Sequence, residues 1–480
     1  MNTRRRFLTT SLAAASLPAW AAPLGANGDI RVAVIGFRGR GRGHIKELLA
    51  QPGVRLVALC DADQAVIDKQ MADLAKDNIK PRTYRDFREC CADKDIDAVT
   101  IATPNHSHVL IALTALKHGK HVYVEKPVSH NLFESAKLMA AAQKAAAKGL
   151  VVQHGMQRRS DLGWASAMQW VNEGHIGKMT LSHALVHGLR MSIDKVDGPQ
   201  QPPATVDYKL WSAPRPELPI LRKQFHYDWH WQWPYGNGDI GNQGPHQLDV
   251  ARWVVGDPAE LPSEVLCVGG RFGYEDDATT ANTQIAFFNY DPVPVIFEVR
   301  GLPEKGMDFK LGTPKFRVGA SGIDVGNILH FEGGTIAENV AYDKEGNKVR
   351  KFEEMGGGSH QQNFIDAIKA GKLVSEGHSA LTGHHAASLA HMANISYRLG
   401  KEATPAEIAD KLKGRAAALE TFERMQQHLG DNGLDAANLK PIWGAALSFD
   451  PKAEQFTGDL ADPANALVRE TYREEFSIKV

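Results

Sequence analysis

From Ile30 onward, short unbroken apolar runs alternate with stretches whose apolar residues recur every three to four positions. "IRVAVIG" (30–36), "VRLVALCDA" (54–62), "IDAVTIAT" (96–103), "KHVYVEKP" (120–127) and "GLVVQHGMQ" (149–157) are runs of the first kind. "HIKELLA" (44–50) and "HVLIALTALKHGK" (108–120) are of the second. A strand that is apolar on both sides must be covered on both sides. Such strands alternating with helices therefore predict a parallel, doubly wound sheet. The pattern assigns residues 29–155 to one α/β domain.

After Gln157 the pattern changes. "KMTLSHALVHG" (178–188), "TQIAFFNY" (283–290) and "VPVIFEVRG" (293–301) are longer and alternate more. They predict an open, mostly antiparallel sheet with one solvated or partner-facing side. "QQNFIDAIKAG" (361–371) and "GHHAASLAHMANISYRLG" (383–400) read as two late helices, each closed by glycine. Residues 156–430 form an α+β domain suited to substrate binding and oligomerisation, and residues 431–480 a loop-rich C-terminal extension.

Length and composition narrow the function classes. The 480 residues suit two or three domains, with 43% hydrophobic and 23% charged residues. A net charge of −1 implies no polyanion-binding surface, so nucleic acid is not an expected partner. Residues 1–21 place Arg4, Arg5 and Arg6 ahead of an apolar run and a small-x-small ending, Ala19-Trp20-Ala21. That is the pattern of a removable targeting peptide, too short and too polar for a stable membrane anchor. The order Arg4-Arg5-Arg6-Phe7-Leu8 is similar to the twin-arginine signal, which exports proteins already folded and predicts a periplasmic location. Four cysteines without framework spacing agree with folding in a reducing compartment. The histidine pairs "HSH" (106–108) and "HH" (384–385) lack metal-ligand spacing, and no metal is expected.

The first strand runs into a glycine-rich turn opening a helix, and an acid, Asp61, ends the second strand. This is the Rossmann dinucleotide-binding arrangement, in which turn amides and the helix N-terminus face the pyrophosphate. Gly36, Arg38, Gly39 and Gly41 are its candidate residues, with Arg38 standing where the fingerprint expects its second glycine. A carboxylate at Asp61 accepts from ribose hydroxyls and repels a 2′-phosphate, so NAD is the expected cofactor. Arg38, Arg40 and Arg42 leave NADP as the lesser alternative.

"TIATPNHSHVLIALTALKHGKHVYVEKP" (100–127) closely resembles the central signature of the Gfo/Idh/MocA family, named for glucose–fructose oxidoreductase and inositol dehydrogenase. The resemblance continues through "VVQHGMQRRS" (151–160), "GNGDIGNQGPHQLDVARW" (236–253) and "NFIDAIKAGK" (363–372). It implies that Lys126, after Glu125 and before Pro127, reaches both substrate hydroxyl and nicotinamide, where an ammonium steadies an alkoxide-like oxygen. His246 matches the family's general base, while Asn242 replaces the usual aspartate four positions earlier. Pro104 and Asn105 are implied beside the nicotinamide ribose, with His108 at the start of the following helix. Arg158 is an implied substrate contact, and Asp249, one turn after His246, is placed either to orient that histidine or to bind a substrate hydroxyl. In "HYDWHWQWPYG" (226–236) the alternating Trp229, Trp231 and Trp233 suit stacking on sugar rings, with Trp231 taken as a substrate contact, or else the core side of one strand.

Together these readings predict a periplasmic carbohydrate oxidoreductase. NAD is not expected outside the cytoplasm, so the cofactor would travel bound and be regenerated in place. The family resemblance also implies an alternative, an NAD-dependent glycosidase that oxidises a sugar to a 3-keto form, eliminates the aglycone, adds water and reduces back. A homo-oligomer, dimer or tetramer, is expected from the open sheet.

Overall fold

The computed structural model describes residues 28–303, 325–352 and 359–478. The export signal read in residues 1–21 lies outside these described residues. Among them, no helix is long and apolar enough to cross a membrane.

The first unit runs β1 (Ile30–Ile35), α1 (Arg40–Leu49), β2 (Val54–Cys60), α2 (Gln64–Ala75), β3 (Arg82–Tyr84) and α3 (Phe87–Ala92). It continues with β4 (Ala98–Ile101), α4 (His108–Lys117), β5 (His121–Val124), α5 (Leu132–Ala146) and β6 (Val152–His154). The strands lie in the order β3-β2-β1-β4-β5-β6, every neighbouring pair parallel. Alternate residues of β1 serve opposite faces. Ala33 and Ile35 join Val109 and Ile111 on one side, whereas Val32 and Val34 join Ile45 and Leu48 on the other. Burying both faces is why Val32 to Ile35 are apolar at every position, each valine or isoleucine contributing about 1.5–3 kcal/mol. Strand β3 escaped the pattern because its residues are exposed or half-exposed and form no apolar run.

The second unit opens with α6 (Leu162–Asn172), β7 (Met179–His187), α7 (Tyr208–Ser212), α8 (Gly238–Asn242) and α9 (Gly244–Val254). Then come β8 (Glu264–Gly270), β9 (Thr283–Phe288), β10 (Val295–Arg300), β11 (Val325–Phe331), β12 (Gly334–Ala337), β13 (Val340–Asp343) and β14 (Lys348–Lys351). Helices α10 (His360–Lys369) and α11 (Ala380–Arg398) follow, with β15 (Lys401–Glu402), α12 (Pro405–Lys411) and α13 (Ala416–Asp431). The chain ends through β16 (Ile442–Trp443), β17 (Leu447–Asp450), β18 (Gln455–Thr457) and α14 (Ala461–Ala466). One large sheet in the order β14-β13-β12-β11-β7-β10-β9-β8-β16-β15 gathers the strands, antiparallel except where β7 meets β10. The α/β fold class and the mostly antiparallel second sheet are as expected from the pattern.

Two features exceed that expectation. On β8–β10, Cys267, Ala286 and Phe297 face α9 and α11, while Val268, Ile285 and Ile296 face Ile408, Phe422 and Met425 of α12 and α13. The second face is thus covered over this stretch by the chain's own helices. The stretch after Gly430 also carries more structure than its composition suggested. It crosses back to the first unit, where Phe476 and Ile478 enter the core beside Phe87. There the Tyr472 hydroxyl donates to Glu134 at 2.9 Å and accepts from Asn131 at 2.9 Å.

Candidate active site

The turn after β1 is glycine-rich for steric reasons at two positions. Gly36 sits at φ +77°, and a Cβ there would meet the Thr103 backbone nitrogen at 2.7 Å. A Cβ at Gly41, in the first turn of α1, would lie 2.0 Å from the Gly36 carbonyl oxygen. At Gly39 a Cβ would meet nothing within 4 Å. The departure from the fingerprint is therefore local: Arg38 replaces a glycine where the backbone has no positive φ, and its side chain is exposed.

These residues form one end of a cleft of about 830 Å³ along the C-terminal edge of the first sheet. Gly36, Arg38, Gly39, Asp61, Pro104, Asn105, His108, Glu125, Lys126 and Asn242 all line it. Asp61 accepts from the amides of Phe37 at 3.3 Å and Asp63 at 3.0 Å. Burial raises its pKa to about 6, against the pull of those two amides. No side-chain cation bonds it among the described residues, so the carboxylate is open to neutral hydroxyl donors. Arg40 pairs with Glu125 and Glu47, while Arg38 and Arg42 are exposed guanidinium groups at that edge.

The opposite wall comes from the second unit. The Asp207 amide donates to the Ala62 carbonyl at 2.9 Å, and the Gln64 amide to Thr205 at 3.0 Å. Asp63 caps α2 through the Ala65 amide and also binds His226 Nε2 at 2.8 Å. An aromatic cluster of Trp211, Phe225, Trp229 and Tyr235 backs this wall. Pro203, Thr205, Trp211, His226, Tyr227, Trp229 and His230 consequently line the cleft as well.

At the other end, β5 delivers Glu125 and Lys126 to the sheet edge, with a cis peptide between Lys126 and Pro127. Glu125 is buried and accepts from Arg40 Nε at 3.0 Å, and its other oxygen accepts from the Lys126 amide at 3.1 Å. His44 Nε2 lies 2.8 Å from the first oxygen. Burial alone would raise its pKa, but His44, Arg40 and Lys126 outweigh it and hold the carboxyl well below the usual range. Glu125 is thus a strut between the glycine-turn helix and the lysine. Lys126 Nζ donates to the Asn242 carbonyl at 2.7 Å. Burial lowers its pKa, while Glu125 and Asp239 oppose that.

Histidines surround the lysine. Burial, reinforced by the charge of Lys126, pushes both His246 and His230 down to about 3, so both rings are neutral at pH 7. His246 Nδ1 is buried without a hydrogen-bond partner. His108 lies between two carbonyl oxygens, Pro127 at 2.7 Å from Nδ1 and Thr103 at 2.7 Å from Nε2, and its one ring N–H donates to one of them where the α4 start meets the lysine loop. Asn105 Nδ2 donates to Asn237 at 3.1 Å across the two units.

Three residues read as substrate contacts stand elsewhere. Asp249 is fully buried and gripped by Arg159 at 2.8 Å through both oxygens, so it neither orients His246 nor offers a free oxygen. Arg158 pairs with Glu338 at 2.5 Å, its charge felt at His246. Trp231 is buried, with Arg190 over its ring. Its segment is a 3-10 helix (Asp228–Trp231), not a strand, so alternation did not mark one face. Trp229, His230 and Tyr227 reach the cleft instead.

The pattern also passed over Asp63, Asp239 and His226. Asp239 is buried, bonded by Arg190 at 3.1 and 3.0 Å, and it supplies negative charge near Lys126 where Asn242 does not. An acid two residues past Asp61 and an acid in "GNGDIGN" were the available signals. The residues present fit a dinucleotide: a turn that only glycine fills at Gly36 and Gly41, an unneutralised carboxylate at Asp61, and a cleft continuing to a lysine.

Comparison with known proteins agrees with this geometry. Residues 30–154 match the Gfo/Idh/MocA description "Oxidoreductase family, NAD-binding Rossmann fold", and residues 190–313 match its "C-terminal alpha/beta domain". A glycosyl hydrolase family 109 protein of Shewanella sp. (strain W3-18-1) is 30% identical over 174 residues. That match spans 35% of this chain and only 37% of the relative's length. Among solved structures, an oxidoreductase domain protein from Kribbella flavida superposes with a TM-score of 0.55 at 20% identity, covering 76% of this chain and 96% of that one. The WlbA dehydrogenase from Bordetella pertussis, solved with NADH and UDP-GlcNAcA, gives 0.54 at 17% identity, covering 76% and 94%. Both share the fold.

Proposed function

Starting from its membership of the Gfo/Idh/MocA family of NAD-binding oxidoreductases, to which both matched regions assign this chain, we propose that it oxidises a secondary hydroxyl of a sugar or polyol. The observation carrying this reading is Lys126, a partly desolvated ammonium at the strand edge with neutral histidines in reach of its charge. NAD bound along Gly36, Gly39, Gly41 and Asp61 would supply the hydride acceptor. Lys126 would steady the oxygen as its proton departs, and a neutral imidazole would receive that proton. Tyr227, exposed at the cleft, offers an aromatic surface that suits sugar C–H faces.

Pro203, Thr205 and His226, which line the cleft opposite the glycine turn, would retain NAD between turnovers, and a second sugar or carbonyl compound would supply the oxidant that regenerates it. The protein works in the periplasm after twin-arginine export, as a homo-oligomer. Purification without added nucleotide, denaturation and identification of what is released provides the test. About one NAD per chain, together with sugar-dependent absorbance at 340 nm that Lys126→Met reduces at least 100-fold, is expected. A nucleotide-free protein that turns over only with added NAD would refute the bound-cofactor reading.

The second reading is supported by the glycosyl hydrolase relatives. In it, oxidation at C3 acidifies the neighbouring C–H, the aglycone is eliminated, and water and the same hydride return. Release of nitrophenol from nitrophenyl glycosides without net NADH would favour it. Silence across common glycosides would count against it.

A further inference from the structure

An ammonium steadies a departing alkoxide only while it is charged, and burial works against the charge of Lys126. The charged groups around it are Glu125 beside it on the chain, Arg40 on α1, Arg190 after β7 and Asp239 on α8, with neutral His230 and His246 close by. Glu125 is already shared among Arg40, His44 and the Lys126 amide. The other acid is Asp239, only 1% exposed. Both of its oxygens are held by one guanidinium: Arg190 Nε donates to Oδ2 at 3.1 Å and Nη2 to Oδ1 at 3.0 Å. No hydrogen bond joins Asp239 to Lys126 among the described residues, so the lysine meets this acid as charge. That attraction outweighs the opposing charge of Arg190.

Asp239 and Asn242 stand three residues apart in the single turn of α8 and so share a face. Asn242 presents its carbonyl to Lys126 Nζ at 2.7 Å, and Asp239 presents the negative charge that the Asn242 side chain lacks. The turn itself is fixed in place. A Cβ at Gly241 would collide with Asn237, which accepts from Asn105 at 3.1 Å and donates to the His130 carbonyl at 2.9 Å.

We propose that Asp239, clamped by Arg190, is a positioning residue that keeps Lys126 charged while leaving its remaining N–H groups free for the substrate oxygen. The proposal rests on the oxidoreductase reading above. An ammonium has three N–H donors, and one of them is engaged by the Asn242 carbonyl. A carboxylate bonded directly to Nζ would also hold the charge, but it would occupy a donor that the substrate needs. Arg190 prevents this by engaging both oxygens, so the acid acts across space. The charge maintained on Lys126 in turn keeps His246 neutral and able to accept a proton.

Two readouts test it. In ¹³C/¹⁵N-lysine-labelled holoprotein without sugar, with the Lys126 signal assigned through Lys126→Met, Asp239→Asn should make Lys126 lose its proton at lower pH than in the wild type. An unmoved titration overturns the proposal. The second readout uses the nitrophenyl glycoside or free aldose that reduces the bound nicotinamide fastest. The protonated lysine is the active form, so its contribution disappears as pH rises through its pKa, and Asp239→Asn brings that loss to lower pH. The rate should fall about tenfold at pH 9 but less than about threefold at pH 7, with wild-type NAD content. Asp239→Asn/Arg190→Gln, which leaves no unpaired buried charge, should show the same direction if the single variant folds poorly. Asp239→Asn/Asn242→Asp returns a carboxylate to the same helix face and should recover most of the rate lost at pH 9. An equal loss at every pH that the second acid does not restore would make the Arg190 pair a structural tie and overturn the proposal. If no sugar reduces the nicotinamide in the wild type, the oxidoreductase reading fails, and the lysine titration still judges Asp239 separately.

Discussion

Replacing Gly41 by alanine tests how the nucleotide turn is built. The added Cβ would stand 2.0 Å from the Gly36 carbonyl oxygen, and real Cβ contacts essentially never fall under 3.0 Å. Helix α1 must therefore retreat by about 1 Å, and overpacking of this kind costs about 1–3 kcal/mol. The obstacle is backbone, which has no rotamer to yield. The retreat also lengthens the bonds from Arg40 and His44 to Glu125, now 3.0 and 2.8 Å, and those carry Lys126's neighbour. It draws the helix N-terminus away from the turn where a pyrophosphate would bind. If most of the penalty falls on the bound state, affinity for NAD drops by roughly 5- to 150-fold. Bound nucleotide after desalting and the thermal midpoint should both fall in Gly41→Ala. Gly39→Ala is the control, because its Cβ meets nothing within 4 Å, and its midpoint should hold. Equal behaviour of the two variants, or full nucleotide retention by Gly41→Ala, would refute the steric account of the turn.

Acid should weaken the fold over a defined window. Burial pushes His130, His154, His360, His385 and His391 down to about 3, against about 6.5 when unfolded. The unfolded chain therefore binds more protons between those values, so stability is complete above about pH 6.5 and declines as pH falls through the window. Asp61 and Glu134, raised to about 6 and about 7, act in the opposite sense but are fewer. Urea midpoints should drop steadily from pH 7 to pH 4, and a flat profile to pH 5 would contradict the sign. The returning C-terminus should matter to the first unit: Phe476→Ala empties a buried site and should cost about 3–5 kcal/mol, read as a lowered urea midpoint. An unchanged midpoint would mean that the segment merely rests there.

The chain's own pattern determined the first unit because its information is local. A strand buried on both faces must be apolar at consecutive positions, and Val32 to Ile35 could not hide that. The glycine turn, Asp61 and the Glu125-Lys126-Pro127 corner were legible for the same reason, each being a short segment whose neighbours are its own. Tertiary structure alone decided which polar groups remain free. Asp249 and Arg158 look available in the sequence, yet each meets an opposite charge from a distant segment, Arg159 and Glu338. Trp231 loses its surface to packing, while Trp229 and His230 gain the cleft because a 3-10 turn replaces the strand that alternation suggested. Asp239 supplies the negative charge missing at Asn242 only because Arg190 and α8 hold it near Lys126. Periodicity reports which side of an element is buried. It carries no information on which distant charge will claim an exposed-looking side chain, and that choice set the chemistry of this cleft.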